Sequence, residues 1–148
     1  MQYSQAKSGR IFILRLEDGD ILHECIETFA REQNINAASL VCLGGADTGS
    51  TLIVGPKEGR ASRIEPNEII LNDVHEVTGV GTLFPNEQGD PVLHMHLACG
   101  RHDETLTGCI RRGVKTWHVL EIVIYELLEC TAVRKQDAST GFELMQPY

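Results

Sequence analysis

No apolar run in this chain approaches the roughly 20 residues that a membrane-spanning helix needs, so no such span is expected. Met1 to Arg10 is polar and has no apolar h-region of the kind a secretory signal carries. Basic residues are scarce. Thirteen Lys+Arg stand against 21 Asp+Glu, giving a net charge of −8 and a pI near 5.2. That balance weighs against a nonspecific grip on nucleic acid, which needs a basic surface, although it leaves room for a local basic patch. The five cysteines, Cys25, Cys42, Cys99, Cys109 and Cys130, are widely spaced and form no Cys-x-x-Cys. Without an export signal they read as reduced thiols of a cytoplasmic protein, most of them small core residues. There is no GxxxxGK[ST], no GxGxxG opening a helix, no G-x-S-x-G elbow and no HExxH. The usual sequence signatures of phosphate-loop, dinucleotide, α/β-hydrolase and zincin chemistry are therefore missing. Internal repeats and low-complexity segments are missing too.

What is present fits one ordinary globular domain. A chain of 148 residues falls in the size range of a single domain and buries roughly two-thirds of its unfolded surface. Arg10 to Leu16 alternates as a first strand. Glu17-Asp18-Gly19-Asp20 places acids at the expected start of a helix. Ile21, Leu22, Cys25, Ile26, Phe29 and Ala30 then share one helical face, and Asn34 to Asn36 ends it. Short strands are expected at Ala38–Leu43, Thr51–Val54, Ile69–Leu71, His75–Leu83, Val92–Cys99 and Thr105–Arg111. Trp117 to Val133 could pass for a helix by composition, but its β-branched and aromatic residues favour strand. One long helix near the N-terminus among about seven strands predicts an α+β fold with a mostly antiparallel or mixed sheet. The expected division is an extension over 1–9, a domain over 10–133 and a polar, loose tail over 134–148, with a short strand at Phe142-Glu143-Leu144.

The segment Asp90 to Arg112, DPVLHMHLACGRHDETLTGCIRR, carries the chemistry. His94 and His96 lie two apart on a strand and point to one face, while Leu93, Met95 and Leu97 point to the other. A His-x-His pair can place two imidazoles on one metal; it can equally be structural or solvent-facing. If Cys99 and Leu106 flank the turn of a hairpin, Cys109 lies directly across from His96, with Cβ atoms about 4.5–5.5 Å apart. A slip of one residue would send it to the opposite face. Two imidazoles and a thiolate suit zinc, with a fourth position open. Cys109 read by itself is a small buried residue.

Glu121 sits in an otherwise apolar strand, where a carboxylate is costly to bury unpaired. It is a candidate general acid/base or interfacial anchor, or an edge charge on a half-exposed strand. Glu76 raises the same question more weakly. Gly79 and Gly81 mark bulges or close backbone approach. His102 is a flexible fourth ligand or a solvated loop residue, and His118 packs or hydrogen-bonds beside Trp117. His23, on the helix surface, and His75, at a strand start, have no partner legible in the sequence. Arg111, Arg112 and Lys115 form a small basic cluster, either a solvated face or an anion contact.

The order of the pieces RLEDGD, ETFAREQNI, ASLVCLGGADTGSTLIVG, EVTGVGTL, PVLHMHLACGRHD, TGCIRRG and VLEIVI resembles the PPC domain family (plants and prokaryotes conserved) from about Arg10 to Val133. The resemblance implies a single α+β domain that assembles as a homotrimer, with the long C-terminal strand and Glu121 at the subunit contact. The implied fold is similar to that of the acetolactate decarboxylases, which hold zinc with a His-x-His pair and a later histidine. His94 and His96 match the pair, and Gly108-Cys109 stands where the family has Gly-His. Plant members add a basic AT-hook, absent here, so DNA as a partner is weakly supported. The resulting expectation is a small cytoplasmic homotrimeric protein with a zinc site in a binding or regulatory role. The alternative is a zinc-dependent lyase or hydrolase acting on a small carbonyl compound or ester.

Overall fold

Period-two alternation of apolar residues organises the chain, and the computed structural model, which describes residues 1–61 and 64–147, pairs the alternating segments into sheet. The elements in order are β1 (Lys7–Glu17), α1 (Leu22–Glu32), β2 (Ala38–Ala46), β3 (Thr51–Pro56), β4 (Pro66–Ile70), β5 (His75–Pro85), β6 (Pro91–Arg101), β7 (Glu104–Cys109), β8 (Thr116–Leu128), β9 (Val133–Gln136) and β10 (Glu143–Gln146). Eight strands form one sheet in the order β1-β8-β2-β5-β6-β7-β3-β4, and β9 and β10 form a separate hairpin. Every ladder is antiparallel. The α+β expectation holds, and the ambiguous VLEIVIYELL segment is strand.

The inner face of the sheet carries the core. Leu93, Met95 and Leu97 of β6 and Leu120, Ile122 and Ile124 of β8 are buried against the apolar stripe of α1, Leu22, Ile26 and Ala30. Glu27 of α1 accepts a hydrogen bond from the Leu93 backbone N–H at 2.9 Å, tying helix to strand. Gly79 and Gly81 face this core. A Cβ at Gly79 would lie 2.3 Å from Leu97 Cδ2, and one at Gly81 2.9 Å from Met95 Cβ. Both glycines therefore serve close approach, with β5 and β6 in unbroken register through them.

Three local expectations are decided by the structure. The acids before α1 do not cap it, because Ile21 is the N-cap residue and makes no side-chain cap bond. Ile21 is held in a β-bridge to Lys115, and the Leu22 N–H donates to the Val114 carbonyl at 3.0 Å. Asp20 and Asp18 instead accept from the backbone N–H groups of Glu17 and His118. Glu121 is exposed, in line with the edge-charge alternative, and the carboxylate buried in β8 is Glu126, 5% exposed. Glu126 shares the inward parity of Leu120, Ile122 and Ile124, and Arg10 grips it twice, Nε–Oε2 at 2.7 Å and Nη2–Oε1 at 2.6 Å. That bidentate contact holds the Glu126 carboxyl below the usual carboxylate range. The segment 134–147 is not loose. β9 and β10 pair across a turn in which Asp137 accepts from Ser139 and Thr140 and Gly141 takes φ 73°. The hairpin is fastened to the sheet by Arg134, 3% exposed, whose guanidinium donates to the carbonyls of Val92 and Thr82 and to Thr82 Oγ1.

The outer face is bare over β1, β8, β2 and β5. Ile11, Ile13, Val41, Leu43, Val80 and Tyr125 are all exposed there. One row of directly opposed residues, Ile13, Val123, Val41, Val80, His96, Cys109 and Ile53, crosses seven strands of the sheet.

Gly79→Ala forces a methyl into the space held by Leu97. It is expected to destabilise the protein by about 1–3 kcal/mol, read as a lower urea midpoint; an unchanged midpoint would contradict the close-packing role.

Candidate metal centre

The site is built by one hairpin. Arg101 pairs with Glu104 across a two-residue turn, and His102 enters the left-handed region at φ 56°, which histidine tolerates better than most non-glycine residues. That turn sets Cys99 opposite Leu106 and His96 opposite Cys109, so the register on which the ligand reading depends is the observed one. Gly108 is required beside it. A Cβ there would lie 2.7 Å from the Ile53 carbonyl oxygen, and its absence lets β3 come in to pair Ile53 with Cys109.

The ligating atoms of His94, His96 and Cys109 all lie within 4.8 Å of one another. The two Nε2 atoms are 3.2 Å apart, and the rings meet edge to face with centroids at 5.1 Å. Two ligand atoms each about 2.1 Å from a tetrahedral ion are roughly 3.4 Å apart, so the imidazoles already stand near the spacing one ion would impose. The His94 imidazole is pushed down to about 4, first by partial burial, then by Arg134, His96 and Arg111. It is neutral at pH 7 and keeps a lone pair for a metal.

These three side chains line a cavity of about 510 Å³. Arg111 and Arg134 also line it, together with Phe142, Leu144 and Met145 from the C-terminal hairpin. Burial first, and then Arg111, lowers the pKa of the Arg134 guanidinium from its ordinary value.

The remaining sequence candidates lie elsewhere. Glu121 is on the outer face of β8, directly across from Arg15 and Leu43. Two strands, β2 and β5, separate β8 from β6, and Glu121 is two residues out of the His96 row, which puts it roughly 16 Å from His96 within one chain at about 4.8 Å per strand. Glu76 is exposed on β5, across from Gly100. His102 sits in the turn at the far end of the hairpin. His75 is buried, its Nδ1 2.9 Å from the Asp73 carbonyl oxygen. His118 has φ 57° and its ring lies 4.6 Å from that of Trp117. His23 is half-buried, and its Nδ1 has no hydrogen-bond partner among the described residues. The basic cluster divides: Arg112 pairs with Glu68 and Lys115 with Asp47, whereas Arg111 faces the cavity. Sequence reasoning missed Arg134 and the hairpin that carries it. The available signal was Asp137 followed by Ser139-Thr140-Gly141, a turn signature, between two short segments able to pair.

In the metal-free protein His94 binds its proton near pH 4 when folded and near 6.5 when unfolded. The unfolded chain therefore gains protons first on acidification, and stability is lost as the pH falls from about 6.5 toward 4. The urea midpoint is expected to fall more steeply over that interval in wild type than in His94→Asn; parallel profiles would contradict the depressed imidazole.

The Plants and Prokaryotes Conserved (PCC) domain model matches residues 3–128. Among solved structures, a plant- and prokaryote-conserved (PPC) protein of Pyrococcus horikoshii is similar with a TM-score of 0.85 at 21% identity, covering 100% of this chain and 99% of that one. A metal-containing protein of Archaeoglobus fulgidus gives 0.82 at 23% identity over 99% of each chain. A protein of Bacteroides thetaiotaomicron, named for inferred DNA binding, gives 0.75 at 16% identity over 97% and 98%. The bifunctional protein GlmU of a Synechococcus is 28% identical over 137 residues, which is 91% of this chain and 20% of that protein. The chain thus spans about a fifth of the length of that curated relative. The structural likenesses establish the fold, and the match over residues 3–128 establishes more: this chain belongs to the Plants and Prokaryotes Conserved domain family.

Proposed function

We propose that the chain acts in the cytoplasm as a homotrimeric metal-binding protein of the PPC type, holding one zinc ion on His94, His96 and Cys109 in a binding or regulatory role. The observation that carries this reading is the convergence of three N and S donor atoms within 4.8 Å. Two imidazoles and a thiol without a carboxylate favour zinc over magnesium or calcium. A relative of the same fold, from Archaeoglobus fulgidus, is a metal-containing protein. Three protein ligands leave a fourth coordination position.

The cavity supports a second reading, a zinc-dependent lyase or hydrolase acting on a small carbonyl compound or ester. Zinc bound there would supply Lewis acidity or a bound water of lowered pKa. The chain's own part is to shape the cavity and hold the substrate against it. Glu121 remains the proposed proton carrier of that reading, and its distance within one chain requires delivery across a subunit contact.

Assembly is supported by the outer face. Ile13 is 74% exposed, Val80 65% and Leu43 58%, and they lie on β1, β5 and β2 on one surface. A contiguous apolar patch of this kind marks an interaction site on a soluble protein. DNA is the weaker partner. Two relatives are named for inferred DNA binding, but Lys7, Arg10, Arg15, Lys57, Arg101, Arg112 and Lys115 are all engaged by carboxylates. Those pairs reduce the positive charge left for phosphates.

Metal analysis of protein purified without chelator or added metal tests the site. Near one zinc per chain is expected in wild type and almost none in the His94→Ala/His96→Ala variant; no zinc in either, even after it is offered, overturns the metal reading. Light scattering tests the assembly. Wild type is expected at three times 16.4 kDa and Val41→Glu at a lower mass; a monomeric wild type overturns the trimer.

A further inference from the structure

The cavity has a second chemical character beside its three donors. Arg134 is 3% exposed, yet it lines the cavity together with Arg111. Three of its five N–H groups are used on neutral oxygens: Nε on the Val92 carbonyl at 3.2 Å, and Nη2 on the Thr82 carbonyl at 3.2 Å and Thr82 Oγ1 at 3.1 Å. Nη1 takes part in none of these bonds. A guanidinium fixed by neutral acceptors keeps its full positive charge for whatever enters beside it. Burying it is costly without an anion, and a second cation, Arg111, faces the same space. Among the described residues Glu143 is the only acidic side chain lining it, so the two arginines outnumber it in a protein whose net charge is −8, and a zinc ion on the three donors would add to that positive charge. The rest of the lining includes Ile53, Phe142, Leu144 and Met145.

We propose that this cavity binds a small monocarboxylate, its carboxylate held by Arg134 and Arg111 and its hydrocarbon part packed on Ile53, Phe142, Leu144 and Met145. The planar guanidinium fork matches two carboxylate oxygens. The apolar wall accounts for a ligand with a hydrocarbon body rather than a bare inorganic ion. The inference deepens, and rests on, the reading of His94, His96 and Cys109 as a metal site, because those side chains line the same cavity. It assigns a role to β9 and β10, which lie beyond the residues matched by the family model: they supply the buried arginine and the apolar cover.

The test is calorimetric titration of the full-length chain, zinc-loaded and zinc-free, with butyrate, butyramide and inorganic phosphate, and with zinc content measured on the same samples. Butyrate is expected to bind at least tenfold more tightly than butyramide and more tightly than phosphate. Arg111→Gln, an exposed position, is expected to weaken butyrate at least tenfold with zinc content unchanged. Arg134→Lys, which keeps the charge but not the fork, is expected to weaken it with the fold intact by circular dichroism. Zinc bound without a preference for butyrate over its amide, or a preference that survives Arg111→Gln, overturns the carboxylate site and leaves the metal site standing. A preference that depends on Arg111 in protein that takes no zinc overturns the metal reading and leaves the carboxylate site standing. Phosphate binding as tightly as butyrate overturns the monocarboxylate assignment.

Discussion

The pairing of β6 with β7 is the constraint on which the rest depends. Side chains alternate across a strand, so a hairpin of fixed register decides every neighbour relation on both faces at once. With His96 opposite Cys109, the inward set of β6 is Leu93, Met95, Leu97 and Cys99, and it lies over the helix. The outward set then presents His94 and His96. Core packing and ligand placement are two faces of the same register, so a sequence change that shifts one shifts the other.

The charge distribution follows from how the cations are used. Lys7, Arg15, Lys57, Arg101, Arg112 and Lys115 lie on the surface beside an acid, where a pair contributes little to stability. Arg10 and Arg134 are different. Arg10 satisfies a carboxylate buried on the inner face, Glu126. Arg134 is itself buried and bonds to neutral oxygens, which leaves a positive field in a cavity of an acidic protein. The same field adds to the burial that lowers the pKa of His94, so the cationic wall helps to keep that imidazole neutral.

Much of this was legible in the sequence, and the reasons are specific. Leu93 to Cys99 has a period that only a strand satisfies, and the GRHDE segment marks a turn short enough to fix the register, so Cys109 could be placed opposite His96 by counting. The stripe on α1 was equally plain. Local pattern could not separate Glu121 from Glu126, because both interrupt the same apolar run and only parity against Leu120 and Ile122 tells them apart. The acids at 17–20 looked like helix caps since nothing nearby reveals the bridge from Ile21 to Lys115, some 90 residues on. Arg134 is polar and follows the last long strand, which reads as tail; its burial depends on backbone oxygens of Thr82 and Val92, which no window of sequence contains.

The place of β8 has a consequence for how the molecule comes to exist. β8 lies between β1 and β2 and pairs with both, yet it is separated from β1 by nearly the whole chain. Until residues 116–128 have left the ribosome, the first strand has no partner and one edge of the second is unsatisfied. The large loop that must then close makes this a topology of high contact order. Apolar strand edges stay open during synthesis until β8 joins β1 to β2 and completes the sheet.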